Sequence, residues 1–195
     1  STLTNIGKSA FYNCTNLSNV DLTACTELKT IGDEAFSGNS ALTSVKFPAS
    51  LRYIGSYAFN NCGLTNVDLS GCTQLLSLGE SALNCNKELV AVKLPPNVET
   101  ISASAFWGCE KLADVNFTAC TSLKTIGESA FCWTGLTSVT LPSSVSSLGW
   151  GVFQQCFQLK DADLSACTGL TVIEDSMFRE CKALSSVKLP TSVTV

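Results

Sequence analysis

The sequence predicts an α/β solenoid of about eight stacked coils of 22–25 residues, each with short strands and a short helical turn. Three observations predict it. An Ile-Gly-x-x-Ala-Phe motif recurs, with small drifts, at Ile6, Ile31, Ile54, Leu78, Ile101, Ile126, Leu148 and Ile173. The intervals are 25, 23, 24, 23, 25, 22 and 25 residues, in the range of repeats that must stack because one coil cannot bury its own apolar face. A second motif, Leu-x-x-Val-x-Leu, recurs once per copy, from Leu17-Val20-Leu22 to Leu184-Val187-Leu189.

Each element of a copy follows from its pattern. The period-two ending of Leu-x-x-Val-x-Leu predicts a short strand. After it, odd copies carry a cysteine-bearing stretch such as Leu22-Thr23-Ala24-Cys25-Thr26, whereas even copies carry Pro48, Pro95, Pro142 or Pro190. The unit is therefore a pair of coils, and the length difference within it is expected to bulge on one edge. Segments such as Leu28-Lys29-Thr30-Ile31 and Leu51-Arg52-Tyr53-Ile54, with apolar ends and polar middles, predict a second brief extended stretch. Gly32, Gly55, Gly79, Gly127 and Gly149 come next, suited to a backbone turn without side-chain hindrance. Ser102 and Glu174 stand there in two copies, so positive φ is not mandatory. Ile6, Ala10, Phe11 and Cys14 fall at i, i+4, i+5 and i+8, which predicts one or two helical turns with one apolar face. Phe11, Phe36, Phe59, Phe106, Phe131, Phe153 and Phe178 are expected to stack as an aromatic spine.

A hydrophobic content of 45% with 14% charged residues in 195 predicts one folded body over residues 1–195. The chain opens and stops inside a copy, the expectation for a piece of a longer protein. No run approaches the roughly 18 apolar residues of a membrane helix, so no membrane insertion is expected of this segment. A net charge of −4 and a pI near 4.8 disfavour a phosphate-tracking surface, and nucleic acid is not an expected partner.

The eleven cysteines follow the repeat. Cys14, Cys62, Cys109 and Cys156 share one position, and Cys25, Cys72, Cys120 and Cys167 another. Equivalent positions two coils apart lie roughly 10 Å from each other, beyond the ~7 Å Cα separation a disulfide tolerates. These ladders are expected to be buried thiols filling coil corners. Cys156 and Cys181 hold one position in adjacent coils, within bridging range in an oxidising compartment; Cys85 and Cys132 fall off the ladders. With no histidine and no Cys-x-x-Cys, neither zinc nor any other cofactor is expected.

The full pattern, Cys-x-x-Leu-x-x-Val-x-Leu-Pro-x-x-Val-x-x-Ile-Gly-x-x-Ala-Phe, resembles the Treponema pallidum-type leucine-rich repeat of BspA-like surface proteins over essentially the whole chain. The resemblance implies a right-handed leucine-rich-repeat solenoid, curved, with a parallel sheet on its concave face. It also implies a cell-surface or secreted protein that binds partner proteins, host extracellular-matrix or serum proteins among them. The asparagine of the familiar leucine-rich repeat is absent, Thr23, Pro48 or their equivalents following the strand, as in the BspA-like class.

A sheet turns alternate residues outward. Between Val and Leu these are Asp21, Lys46, Asp68, Lys93, Asn116, Thr140, Asp163 and Lys188; the neighbouring column is Asn19, Ser44, Asn66, Ala91, Asp114, Ser138, Asp161 and Ser186. Opposite charges at one register of adjacent strands pair, so this face is either self-neutralised or a docking surface of the kind solenoids present. Asp114, Asp161 and Asp163 outnumber Lys188 toward the C-terminal coils, favouring a basic partner segment there. Trp133, Trp150 and Phe157 break the repeat's regularity and form a candidate apolar contact patch. Carbohydrate recognition through such aromatics requires exposed rings beside amide or carboxylate groups. Without an imidazole base, a glycine-rich phosphate loop or a metal-binding helix motif, catalysis is not expected. Asp161 and Asp163 alone lack the six to eight oxygens calcium takes. Asn13-Cys14-Thr15, Asn16-Leu17-Ser18 and Asn116-Phe117-Thr118 match the glycosylation triplet, a frequent match in a chain this rich in Asn and Thr. The two functional readings are thus a protein-recognition or adhesion module and a structural spacer that binds nothing.

Overall fold

A computed structural model describes residues 2–193. The chain winds as a solenoid with three walls. One wall comes from the Thr-Ile segments: β1 (Asn5–Ile6), β3 (Thr30–Ile31), β5 (Tyr53–Ile54), β7 (Ser77–Leu78), β9 (Thr100–Ile101), β11 (Thr125–Ile126) and β13 (Ser147–Leu148). These pair in parallel, in chain order, as one seven-stranded sheet. The second wall comes from the Val-x-Leu segments: β2 (Asn19–Asp21), β4 (Ser44–Lys46), β6 (Asn66–Asp68), β8 (Ala91–Lys93), β10 (Asp114–Val115), β12 (Ser138–Thr140), β14 (Asp161–Asp163) and β15 (Ser186–Lys188). Its strands are also parallel but fall into three sheets, β2-β4, β6-β8-β10 and β12-β14-β15.

The third wall differs from the expected helical turns: among the described residues it contains no helix. The residues from Gly7 to Asn13 show why. The N–H groups of Ser9, Phe11 and Asn13 donate to Asp33, Ala35 and Ser37 of the next coil at 2.8–2.9 Å, while those of Ala10 and Tyr12 close turns onto Gly7 and Ser9. Every second amide thus leaves its own coil, which satisfies the buried backbone and is incompatible with an i→i−4 ladder. The same apolar spacing is met by a chain of turns whose left-handed corners sit at fixed positions, Ser9 and Asn13 in the first copy, Tyr57 and Asn61 in the third.

The glycines after the anchor serve close approach rather than positive φ. A Cβ on Gly55 would lie 2.5 Å from the backbone nitrogen of Asp33, and one on Gly127 2.6 Å from that of Ala103. Where Ser102 replaces glycine, the bond from its N–H to Leu78 stretches to 3.3 Å, against 2.8 Å from Gly127 to Ile101. Where Glu174 replaces it, the Thr-Ile sheet stops: β13 is its last strand, and a cleft opens between Ser146–Leu148 and Leu170–Glu174.

Two sequence changes coincide at each break in the Val wall. Copies three and six are one residue shorter before their strand, with five residues from Phe59 to Leu64 and from Phe131 to Leu136 where other copies have six. Gly63 and Gly135 fill the shortened stretch, and a Cβ on either would collide with Ser40 O or Glu110 O of the preceding coil. In the copies just before, Phe47 and Phe117 replace the inward leucine and drive their edges onto Phe59 and Phe131 of the next coil, at 5.7 and 5.8 Å.

The core is the expected spine. Rings stack from Phe11 to Phe36 to Phe59 at 5.0 and 5.2 Å, and from Phe106 through Phe131 and Phe153 to Phe178 at 5.1–5.9 Å. Leu83, fully packed, holds the intervening place. Rows of Leu, Ile, Ala and Val from every wall close around it, and this burial supplies most of the cohesion between coils.

Candidate functional site

The outward face of the Val wall is built by strand alternation: Val45, Val67, Val92 and Val139 point into the core, and their neighbours point out. In register, Asp21 faces Lys46, Asp68 faces Lys93 and Asp163 faces Lys188. The three ion pairs close at 3.1, 3.0 and 2.9 Å. Each aspartate has a second task. Its Oδ1 accepts the N–H and hydroxyl of Thr23, Ser70 or Ser165 two residues on, the side-chain turn that asparagine and aspartate favour. These hydroxyl bonds, joined by the facing lysine, hold Asp21 and Asp163 at about 2 and keep Asp68 below its ordinary value. The charges at these positions are therefore cancelled by the fold itself.

Copies five and six depart from this rule. Asn116 builds the same turn, accepting from the N–H of Thr118 at 2.9 Å and its hydroxyl at 2.7 Å, but faces Thr140 across the sheet break, and neither carries charge. A cavity of about 210 Å³ lies there, its lining including Asp114, Asn116, Ser138 and Thr140 beside the apolar Val115 and Phe117. Asp114 and Asp161 project from the outer column, exposed, and among the described residues neither is in an ion pair. Asp161 adds to the field around Lys188; Asp114 has no lysine facing it.

Trp133, Trp150 and Phe157 are all exposed, and each has its own surroundings. Trp133 meets Trp107 edge-on at 5.5 Å, Trp150 stands apart on the turn wall, and Phe157 lies under Lys182, whose Nζ is 5.6 Å from the ring. Trp133 is seven residues past its anchor and Trp150 only two, so they stand at different positions along the turn wall. The Trp107–Trp133 pair escaped the sequence reading, although their offsets of six and seven residues in consecutive copies signal it.

The cysteine ladder serves the backbone. Position eight after the anchor holds Cys14, Asn39, Cys62, Asn86, Cys109, Thr134, Cys156 and Cys181, alternating up to the last copy. From it Cys62, Cys109, Cys156 and Cys181 donate to the carbonyls of Phe36, Leu83, Phe131 and Phe153 at 3.0–3.2 Å. Asn39 and Asn86 donate at 2.7–2.9 Å to the same kind of carbonyl, in their own coil and in the one before. Burial pushes the thiols of Cys62 and Cys109 up to about 12 and that of Cys72 to about 11, which removes them as nucleophiles. Cys156 and Cys181 are free thiols, and the neighbouring Cys181 thiol together with burial raises Cys156.

Comparison with known proteins matches these features. Residues 4–122 and 117–195 fit the family model described as BspA type leucine rich repeat region (6 copies). A leucine-rich repeat protein from Bacteroides ovatus is similar over 98% of this chain and 65% of its own, with 25% identity and a TM-score of 0.60. The Treponema pallidum leucine-rich repeat protein is similar over 97% of this chain and 64% of its own, at 22% identity and a TM-score of 0.59. The pneumococcal vaccine antigen PcpA shares the fold over 98% of this chain and 57% of its own, at 19% identity and a TM-score of 0.61. The chain thus spans a little under two thirds of the length of these structures. Comparison with curated proteins gives no match. The family model is of a repeat region and names no catalytic family, and among the described residues no helix is long and apolar enough to cross a membrane. With its motifs, its stacked parallel strands and a family match over nearly its whole length, the chain belongs to the BspA-type leucine-rich repeat family.

Proposed function

We propose that this solenoid is a protein-recognition or adhesion module of a cell-surface or secreted protein, and that an extended basic segment of a partner docks on the Val wall at copies five to seven. The observation that carries the reading is the interruption of charge pairing there. Where other coils set a lysine against an aspartate, this stretch offers a polar cavity, the unpaired Asp114 and the exposed Asp161. A lysine or arginine side chain from a partner would take the place that Lys46, Lys93 and Lys188 take elsewhere, with Asn116, Ser138 and Thr140 as hydrogen-bonding neighbours. Asp21, Lys46, Asp68, Lys93, Asp163 and Lys188 form neutral flanks that admit a long partner without repelling it. Trp133, paired with Trp107, Trp150 and Phe157 supply further exposed contact area on the adjoining wall. A surface or secreted location is supported by the description of one structure with this fold, from Faecalibacterium prausnitzii, as a cell surface protein.

The spacer reading draws on the same ion pairs, which leave copies one to four without net charge on this wall. Capture on immobilised wild-type protein separates the two, using extracellular-matrix and serum proteins with basic segments as analytes. The recognition reading expects saturable binding that weakens with salt and falls at least tenfold in Asp114→Lys/Asp161→Lys; binding to none of them by the folded protein supports the spacer.

A further inference from the structure

We infer a second binding site, on the turn wall of copies one to three, for a neutral sugar ring of a glycan. A cavity of about 220 Å³ is lined there by Tyr12, Glu34, Ser37, Tyr57 and Asn60. It lies on a different wall and in different copies from the proposed basic-segment site, and it stands or falls independently of that reading.

Three observations carry the inference. The first is a departure from the repeat. Three residues past the anchor, six copies hold Ser9, Ser81, Ser104, Ser129, Gly151 and Ser176, and only the second and third hold larger residues, Glu34 and Tyr57. The second is the backbone at that column. Every one of these residues is left-handed, Glu34 at φ 55° and Tyr57 at φ 58°, a conformation that small residues accept and an aromatic residue does not favour. The Tyr57 ring is also not buried: it is 39% exposed, and Tyr12 across the cavity is 57% exposed. Core packing therefore does not account for either ring. The third is the chemistry of the lining. Every lining side chain carries a hydrogen-bonding atom, and none is cationic or aliphatic. Glu34 is held by the Ser9 hydroxyl at 2.9 Å through Oε2, which leaves Oε1 for a ligand. Asn60 donates to the Ser37 hydroxyl at 3.3 Å and keeps its carbonyl oxygen.

A sugar ring matches this set. Its apolar face rests on an aromatic ring, and its vicinal hydroxyls both donate and accept, as planar carboxylate and amide groups require. The absence of a cation in the lining and the presence of Glu34 disfavour acidic sugars. An alkylammonium ligand would need an aromatic cage, and directional groups such as Ser37 and Asn60 would be idle around it.

Saturation-transfer NMR on the wild-type protein with methyl glycosides of glucose, galactose, mannose and N-acetylglucosamine tests the site. Tetramethylammonium chloride and decaproline serve as competing chemistries. The expected result is saturable transfer to the ring protons of at least one glycoside, in the millimolar range. It should weaken at least tenfold in Tyr57→Ser and in Glu34→Ser, both of which restore the repeat's own residue, and Tyr57→Ser should not lower Tm. No transfer to any glycoside, transfer unchanged in both variants, or binding of the ammonium or decaproline without any glycoside would overturn the assignment.

Discussion

A single aspartate in this fold does two jobs, and its protonation tests both. Asp21, Asp68 and Asp163 each accept two bonds from a Thr or Ser two residues on and pair with a lysine in the next coil. Folding lowers their proton affinity from the ordinary value of 3.8, to about 2 for Asp21 and Asp163. The folded state therefore favours the ionised form. That stabilisation is complete above about pH 4 and drains away as pH falls toward 2. Asn116 shows that asparagine builds the same turn without a charge. The triple variant Asp21→Asn/Asp68→Asn/Asp163→Asn should therefore fold at pH 7 and lose much of the wild type's fall in Tm between pH 4 and pH 2, as followed by circular dichroism. An equally steep fall in the variant would remove these three residues from the account.

At the scale of the element, the strands and their order were legible in the sequence, because period two and a fixed repeat leave few alternatives. The turn wall was not. Apolar residues at i, i+4, i+5 and i+8 suit a helix and also suit the observed run of turns, and only the exchange of alternate amides with the next coil decides between them. The glycine after the anchor was legible as special but not in its reason, since a clash with a neighbouring coil is a tertiary fact. Glu174 follows that logic: its side chain stands where most copies have bare backbone and one has the smaller Ser102, and the Thr-Ile sheet ends before it. Glu174→Gly should let Val172 and Ile173 join β13, slowing hydrogen exchange at those amides and raising Tm by a few degrees, about 1 kcal/mol for a chain of this size. Unchanged exchange there would assign the end of the sheet to some other cause.

For the whole molecule, regularity is the structural rule, and the proposed contact sites lie where the chain departs from it. The candidate contacts on the Val wall were legible as columns, and the cross-strand ion pairs followed directly from register. What the columns did not reveal is which acids the fold cancels and which it leaves. Which lysine a column aspartate meets depends on the sheet breaks before copies three and six, whereas Asp114 is left because Ala91 and Ser138 hold the neighbouring places of its column. Trp133 and Trp150 were legible as departures from the repeat, but the neighbours of the exposed rings, Trp107 for Trp133 and Lys182 for Phe157, come from the stacking of coils. The measurement that tests the functional account most directly completes the charge pairing where it is interrupted. In Asn116→Asp/Thr140→Lys the fold supplies its own lysine beside Asp114, carrying the residue pattern of three other coil pairs across the break between β10 and β12. Surface plasmon resonance with a partner captured by the wild type should show binding reduced at least tenfold, with Tm unchanged or higher. Undiminished binding by the folded variant would contradict the claim that this gap receives a basic segment.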